Sequence, residues 1–303
     1  NPMKPIITTD DTLRETTQHG SASFPLAYYL EDVWEADFHC IDWHWHHELE
    51  FLFVSKGRQL CLVGSNRIEL SEGYGMFINS GFLHRFEANA STLIPNIVFS
   101  PSLLSPKDSL LYEKYILPVL HSGPAFQVFD PQIAWQKQIL TLLKEIYAVQ
   151  ELPEKRELQT LQLLLQLWDI LYNHLDLTSN TSAVRRMDSK QARLQVMMQY
   201  IHDHYQEEIT LEEIARSASI SKSSALHLFQ SGIQIPPVAY LIQYRLMQAA
   251  ELLYNTTKPV SAIAAETGFT SAGYFCRKFK ERYQMSPNEY RKHTTSVAKI
   301  SYH

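Results

Sequence analysis

The chemistry easiest to read in this chain is that of a basic side chain set among very small ones. In SAGYFCRKFKERY (271–283), Gly273, Cys276, Arg277 and Lys280 recur at i, i+3, i+4 and i+7 and form one outward stripe of a helix. Phe275 and Phe279, four apart, take the opposite face. A guanidinium fork can donate to guanine O6 and N7 together, and an ammonium nearby suits a phosphate oxygen. Ala272 and Gly273 are too small to read bases by hydrogen bonding; they allow close approach or a methyl contact. The positioning elements lie just upstream. Ile263 and Ala264 close a short helix, and Thr267-Gly268-Phe269 make a turn whose glycine suits positive φ. A second helix begins near Ser271. This is the pattern of a helix-turn-helix with a reading helix.

The motif has a copy. Residues 209–215 (ITLEEIA) align with 258–264 (KPVSAIA) at an offset of 49, and past the turn the offset becomes 50. Phe229 then pairs with Phe279, Pro237 with Pro287 and Tyr240 with Tyr290. A repeat at near-fixed offset is harder to obtain by chance than a single motif. Between the copies, residues 240–255 (YLIQYRLMQAAELLYN) read as one amphipathic helix able to hold both readers at a set spacing. Thr210 with Glu213 forms a capping box at the first scaffold helix, and Ser286-Pro287-Asn288-Glu289 repeats the device at the last helix.

The order Ile214-Ala215, Phe229, Pro237, Tyr240, Arg245-Leu246, Ala249, Leu252-Leu253, Ile263-Ala264, Gly268-Phe269, Phe275, Arg277, Phe279-Lys280, Pro287 and Tyr290-Arg291 resembles the AraC/XylS family of transcriptional regulators. The resemblance covers roughly residues 195–292. It departs at Ser219 and Gln284, where glycine is usual, and at Ala225 and His227. It implies sequence-specific binding to double-stranded operator DNA. Base contacts are implied for Ser223, Leu226 and His227 in the first copy and for Ala272, Gly273, Cys276 and Arg277 in the second. Leu226 suits a thymine methyl and His227 a purine acceptor or a phosphate. Lys222, Lys278, Lys280, Arg282 and Arg291 fit phosphate-positioning roles.

With 303 residues, two domains are expected, each able to bury a core. Residues 190–303 hold 13 Lys+Arg against 9 Asp+Glu, and residues 1–189 hold 14 against 23. A basic C-terminal part on an acidic N-terminal part fits a nucleic-acid reader joined to a non-binding domain. Three scattered cysteines (Cys40, Cys61, Cys276) argue against a disulfide framework and for a reducing cytosol. No signal-peptide core is read in NPMKPIITTDD, and no run is apolar enough to span a bilayer, so a cytoplasmic location without membrane contact is expected.

From Phe24 to about Phe129 short strands alternate with turn signals, as in a sandwich or barrel. Within that frame, residues 44–50 (HWHHELE) before Gly57, and Gly73 before Gly81 and His84, resemble the two cupin motifs. The second motif departs at Ser80. The resemblance sets His44, His46, Glu50 and His84 at metal-ligand positions, and such barrels occur in AraC-type regulators. Three imidazoles and a carboxylate suit a divalent transition metal. The reading preferred over a metal, because the DNA-binding half favours a regulator, is a metal-free pocket in which the same groups bind a small polar effector, with Trp45 or Trp43 stacking on a sugar face. No other cofactor is expected.

Residues 132–150 and 154–177 read as two helices. In the second, Leu161, Leu164, Trp168, Leu171 and Leu175 alternate steps of three and four. That pattern fits a helix-pairing seam or a helix packed on the barrel, and the segment is the expected homodimer contact. The expected fold class is therefore α+β multidomain. A cupin-like effector barrel (1–129) is followed by a helical dimerisation segment (130–178), a linker (179–190) and an all-α double helix-turn-helix domain (191–303). The expected function is a non-enzymatic, ligand-responsive AraC-type regulator with a small polar effector, a sugar by preference. RNA polymerase joins its partners if it activates. The rivals are a metal-dependent cupin enzyme and a metal or redox sensor fused to a DNA-binding module.

Overall fold

A computed structural model describes residues 15, 18–36, 39–154, 156–177 and 181–292. The chain divides into two compact units, residues 1–189 and 190–303.

Unit one is built on two antiparallel sheets. Strands β1 (Leu26–Glu31), β3 (Leu49–Phe53), β6 (Gly75–Ile78), β8 (Ile94–Phe99) and β9 (Phe126–Phe129) form one, in the order β1-β8-β3-β6-β9. Strands β2 (Cys40–His44), β4 (Arg58–Val63), β5 (Asn66–Ser71) and β7 (His84–Glu87) form the other, in the order β2-β7-β4-β5. The barrel expected from the sequence is thus a pair of sheets that do not close on one another. Side chains alternate across a strand, and every residue of β3 is buried because both its faces are covered. Leu49, Phe51 and Phe53 pack with Phe77, Phe99 and Phe129 against helices. Leu52 packs with Met76, Ile78 and Ile94 against Cys61, Val63 and Phe86 of the second sheet.

The helices on the first sheet are α1 (Leu117–Ser122), α2 (Ala134–Gln150) and α3 (Glu157–His174). Tyr147 Oη donates to the Phe51 carbonyl at 3.0 Å, and Trp168 Nε1 donates to the Tyr115 carbonyl at 3.0 Å. Leu164, Trp168 and Leu171 are 1%, 5% and 0% exposed and belong to this core. Of the two readings of this periodic face, a helix-pairing seam or a helix packed on the barrel, the second holds for these residues, which pack on their own domain. The leucines α3 presents outward are Leu158 and Leu165.

Helix α4 (Thr181–His204) runs across the boundary at 189/190, and unit two continues with α5 (Leu211–Ser217), α6 (Lys222–Ile233), α7 (Pro237–Asn255), α8 (Val260–Glu266) and α9 (Ala272–Tyr283), followed by a helical turn over 287–292. Helix α4 begins at Thr181, so residues 181–190 of the expected linker are helical; residues 179–180 lie outside the described residues. The capping box at Thr210 is present in both directions, and Ser286 with Glu289 repeats it. Among the described residues no helix is long and apolar enough to cross a membrane.

Candidate functional site

The first site lies between the sheets of unit one. His44 on β2 and His84 on β7 are paired across the ladder, and their ring centroids are 4.2 Å apart. Glu50 enters from β3 on the face opposite Leu49 and Phe51, and His46 lies in the β2–β3 connection. All four are buried. Each imidazole donates its Nδ1 proton to a carbonyl two residues away. His44 donates to Asp42 at 2.8 Å, His46 to Glu48 at 3.1 Å and His84 to Phe82 at 2.8 Å. This local bond fixes ring orientation and leaves Nε2 as the inward atom.

Glu50 Oε2 stands 3.3 Å from Nε2 of both His46 and His84. A carboxylate only accepts, so these contacts need a proton on the imidazole or a cation between the groups. Burial pushes against charge on Glu50, but the hydrogen bond from His46 and the adjoining imidazole of His84 win and hold its pKa well below the carboxylate range. Burial likewise opposes protonation of His46, and the Glu50 hydrogen bond and charge lift its pKa above the ordinary value. His44 is driven to about 3 by burial and by its neighbours His84 and His46, so it is neutral.

The residues fit a metal ion. Potential ligand atoms of His44, His46 and His84 lie within 4.8 Å of one another. Ligands about 2.0–2.1 Å from a tetrahedral ion stand roughly 3.4 Å apart, close to the spacing seen around Glu50. His84 Nε2 is also a buried nitrogen without a hydrogen-bond partner.

The cavity beside this cluster measures about 40 Å³. Its outer wall carries groups that sequence reasoning missed. His19 Nε2 meets Glu15 Oε2 at 3.2 Å, His19 Nδ1 meets Tyr29 Oη at 2.8 Å, and Asn96 donates to Glu31 at 3.1 Å. Burial first, and then the surrounding carboxylates of Glu15, Glu31, Glu50 and Glu48, push the Tyr29 hydroxyl up to about 12. The walls are acidic. Trp45, expected as a stacking platform, is not among the lining residues and packs edge-on against His47 at 5.1 Å. Trp43 is buried.

The second site is the outer face of the repeat. Helices α6 and α9 each start on a serine cap: Ser221 Oγ accepts from the Ser224 N–H at 3.1 Å, and Ser271 Oγ from the Tyr274 N–H at 3.3 Å. On α6, Lys222, Ser223, Leu226 and His227 are exposed, with Lys222 Nζ 3.5 Å from Glu212. On α9, Ala272, Gly273, Arg277 and Lys280 are exposed and Cys276 is half-buried. The Arg277 guanidinium sits 5.4 Å from the Tyr274 ring centroid, a support not anticipated from the stripe. Arg291, expected at phosphate, donates to the carbonyls of Leu253 at 3.4 Å and Lys258 at 2.6 Å, and so is at least partly structural.

Residues 30–105 match the family described as the AraC-like ligand binding domain, and residues 214–293 match a helix-turn-helix domain family. An uncharacterized HTH-type transcriptional regulator of Bacillus subtilis (strain 168), YdeC, is 31% identical over 286 residues, covering 93% of this chain and 97% of that one. The HTH-type transcriptional activator RhaS of Enterobacter sp. (strain 638) is 24% identical over 253 residues, covering 81% and 86%. Among solved structures, the C-terminal domain of the response regulator yesN from Fusobacterium nucleatum is 31% identical, covering 31% of this chain and 93% of that one, with a TM-score of 0.30. With a ligand-binding domain match ahead of a helix-turn-helix match, and a regulator similar along nearly its whole length, this chain belongs to the AraC/XylS family of DNA-binding transcriptional regulators.

Proposed function

We propose that this regulator is controlled by a divalent transition-metal ion held in unit one by His44, His46, His84 and Glu50. The observation that carries this reading is the trio of Nδ1–carbonyl bonds, which leaves the Nε2 atoms of three clustered imidazoles inward, with those of His46 and His84 3.3 Å from the Glu50 carboxylate. A cavity of about 40 Å³ also favours it. That holds an ion or a few waters, at about 10–15 Å³ each, and is far below the several hundred Å³ of typical small-molecule pockets. A carbohydrate effector needs the cavity to open. The lactose operon transcription activator of Staphylococcus xylosus, 31% identical over 100 residues, is matched by only 33% of this chain.

In the same reading α6 and α9 enter successive stretches of the operator's major groove. Arg277 reads guanine, and Lys222 and Lys280 fix the register on phosphate. The RhaS relatives are named activators, which supports activation here, with RNA polymerase as the protein partner. A homodimer with paired half-sites fits, and the outward leucines Leu158 and Leu165 are the α3 surface open to it. The cytosol is the expected compartment.

The test is to titrate metal-free protein with Zn²⁺, Ni²⁺, Mn²⁺ and Fe²⁺. Melting temperature, binding heat and affinity for operator DNA are followed together. One ion should bind per chain, raise the melting temperature and change DNA affinity at least about tenfold, an ordinary coupling energy. His46→Ala should abolish all three responses and leave metal-free DNA binding intact. Because ligands must lose their protons, metal affinity should rise with pH through the histidine range near 6.5, and His46, held protonated by Glu50, should be the ligand that delays it. No heat with any ion, alongside a sugar-dependent shift, would overturn the metal reading in favour of a carbohydrate.

A further inference from the structure

The two reading helices must present their stripes at one spacing and one angle for a single duplex, so something beyond α7 has to lock one copy against the other. That lock is found where the lead-in loop of the first copy meets the turn of the second. Arg245, on α7, donates from Nε to the Tyr205 carbonyl at 2.7 Å and from Nη2 to the Glu207 carbonyl at 2.7 Å. These carbonyls belong to the loop between α4 and α5, ahead of the first helix-turn-helix. The same guanidinium lies 6.0 Å from the ring centroid of Phe269, in the turn of the second copy.

Gly268, beside Phe269, completes the contact. A Cβ there would stand 2.4 Å from the Tyr205 carbonyl oxygen and 2.8 Å from Arg245 Nε. The glycine thus answers to two demands, its φ of +85° and the close approach of the other copy. Arg291 gives a useful contrast. It too forks onto carbonyls ahead of its own copy, Leu253 in the last turn of α7 and Lys258 in the loop that follows. Arg245 therefore touches both copies, while the bonds from Arg291 to the Leu253 and Lys258 carbonyls stay within one.

We propose that Arg245 is a positioning residue for bipartite DNA recognition: by bonding the lead-in loop of the first copy and packing on the turn of the second, it sets the orientation of α6 relative to α9. A planar fork with two in-line donors suits this task; an ammonium cannot hold both carbonyls in one plane. Linked readers gain affinity from the second contact only when their geometry permits both at once. Arg245 should therefore govern that gain and leave each reader's own contacts alone. This rests on the proposed roles of α6 and α9.

The test uses a duplex selected from a randomised pool by the purified full chain, with the α9 element identified as the one lost by Arg277→Ala. Affinity is measured for the selected duplex, for one with the α6 element scrambled, and for one with a base pair inserted between the elements. Arg245→Gln should lose about tenfold or more on the intact duplex and stay within about twofold of wild type on the scrambled one. It should also become less sensitive to the insertion. Arg245→Lys, which keeps the charge and is more certain to fold, should fall between the two. Equal loss on intact and scrambled duplexes, or no loss on either, overturns the proposal. A wild-type chain indifferent to both scrambling and insertion would sink the two-reader arrangement itself, and the joint with it.

Discussion

The two helix-turn-helix copies share a scaffold and differ in the face they present. Both readers start on serine caps, both end on a left-handed glutamine (Gln234 with φ 61° and Gln284 with φ 55°), and both bury a fully enclosed phenylalanine, Phe229 and Phe279. Outside, α9 offers Arg277 and Lys280 beside Ala272 and Gly273. Helix α6 offers Ser223, an exposed Leu226, His227 and a lysine already paired with Glu212. Duplication has preserved the packing while the readers diverged. Charge and directional donors are concentrated in the second copy, so it should carry most of the affinity and guanine readout. The first copy is equipped for methyl contact and shape.

The largest expected effect follows directly. Arg277→Ala should cost about 1–3 kcal/mol on operator DNA and relax preference at one base pair. His227→Ala, which deletes a single imidazole bond, should cost about 1 kcal/mol or less. Lys280→Ala should weaken every sequence alike and reduce the salt slope by about one unit. Binding across salt concentrations and base substitutions separates the three. If His227→Ala proves as damaging as Arg277→Ala, the division of labour between the copies collapses.

How much of this could be read beforehand depended on the range of the contact. The repeat, the capping box at Thr210 and the glycine turn at Gly268 are local, and local spacing sets them. Helix α3 shows the limit: Leu164, Trp168 and Leu171 give the same periodicity whether the partner is a second chain or the chain's own sheet. Trp45 shows another. The β2–β7 register shifts between Ile41 and His44, and a bulge breaks the alternation by which a side chain's face would be inferred. Arg245 and the Glu15–His19–Tyr29 cluster act across the fold, and no spacing rule reaches them. His44, His46, Glu50 and His84 do meet in one cluster, but the size and acidity of the cavity beside it emerge only when both sheets are in place.

Gly273 allows a finer comparison. It lies in the first turn of α9, away from any left-handed backbone, and a Cβ there would meet nothing nearer than Ser271 Oγ at 3.8 Å. The fold does not need this glycine, which costs a helix up to about 1 kcal/mol relative to alanine. In the proposed arrangement its use is close approach to DNA. Gly273→Ala should therefore raise the melting temperature and weaken operator binding several-fold, whereas Ser223→Ala at the matching place on α6 should leave stability little changed. Undiminished binding by Gly273→Ala would remove the close-approach argument and move α9 further from the groove.

The smallest effect separates the copies at their turns. Ser219 matches Gly268 at the offset of 49 and keeps a left-handed backbone, φ 55°, with a side chain attached. A non-glycine residue there costs roughly 1–2 kcal/mol, and glycine's extra freedom in the unfolded chain returns about 0.5–1 kcal/mol of that. Ser219→Gly should stabilise the protein by a few tenths of a kcal/mol to about 1 kcal/mol, read as a shift in denaturant midpoint at constant slope. The reverse change in the second copy is not its mirror image. Ser219 is exposed, so its Cβ meets solvent, while a Cβ at Gly268 would strike the Tyr205 carbonyl. Gly268→Ser should accordingly destabilise by more than the backbone term alone and loosen the joint at Arg245. If the two substitutions proved equal and opposite, only the backbone angle would matter at these turns, and the contact between copies would carry no weight.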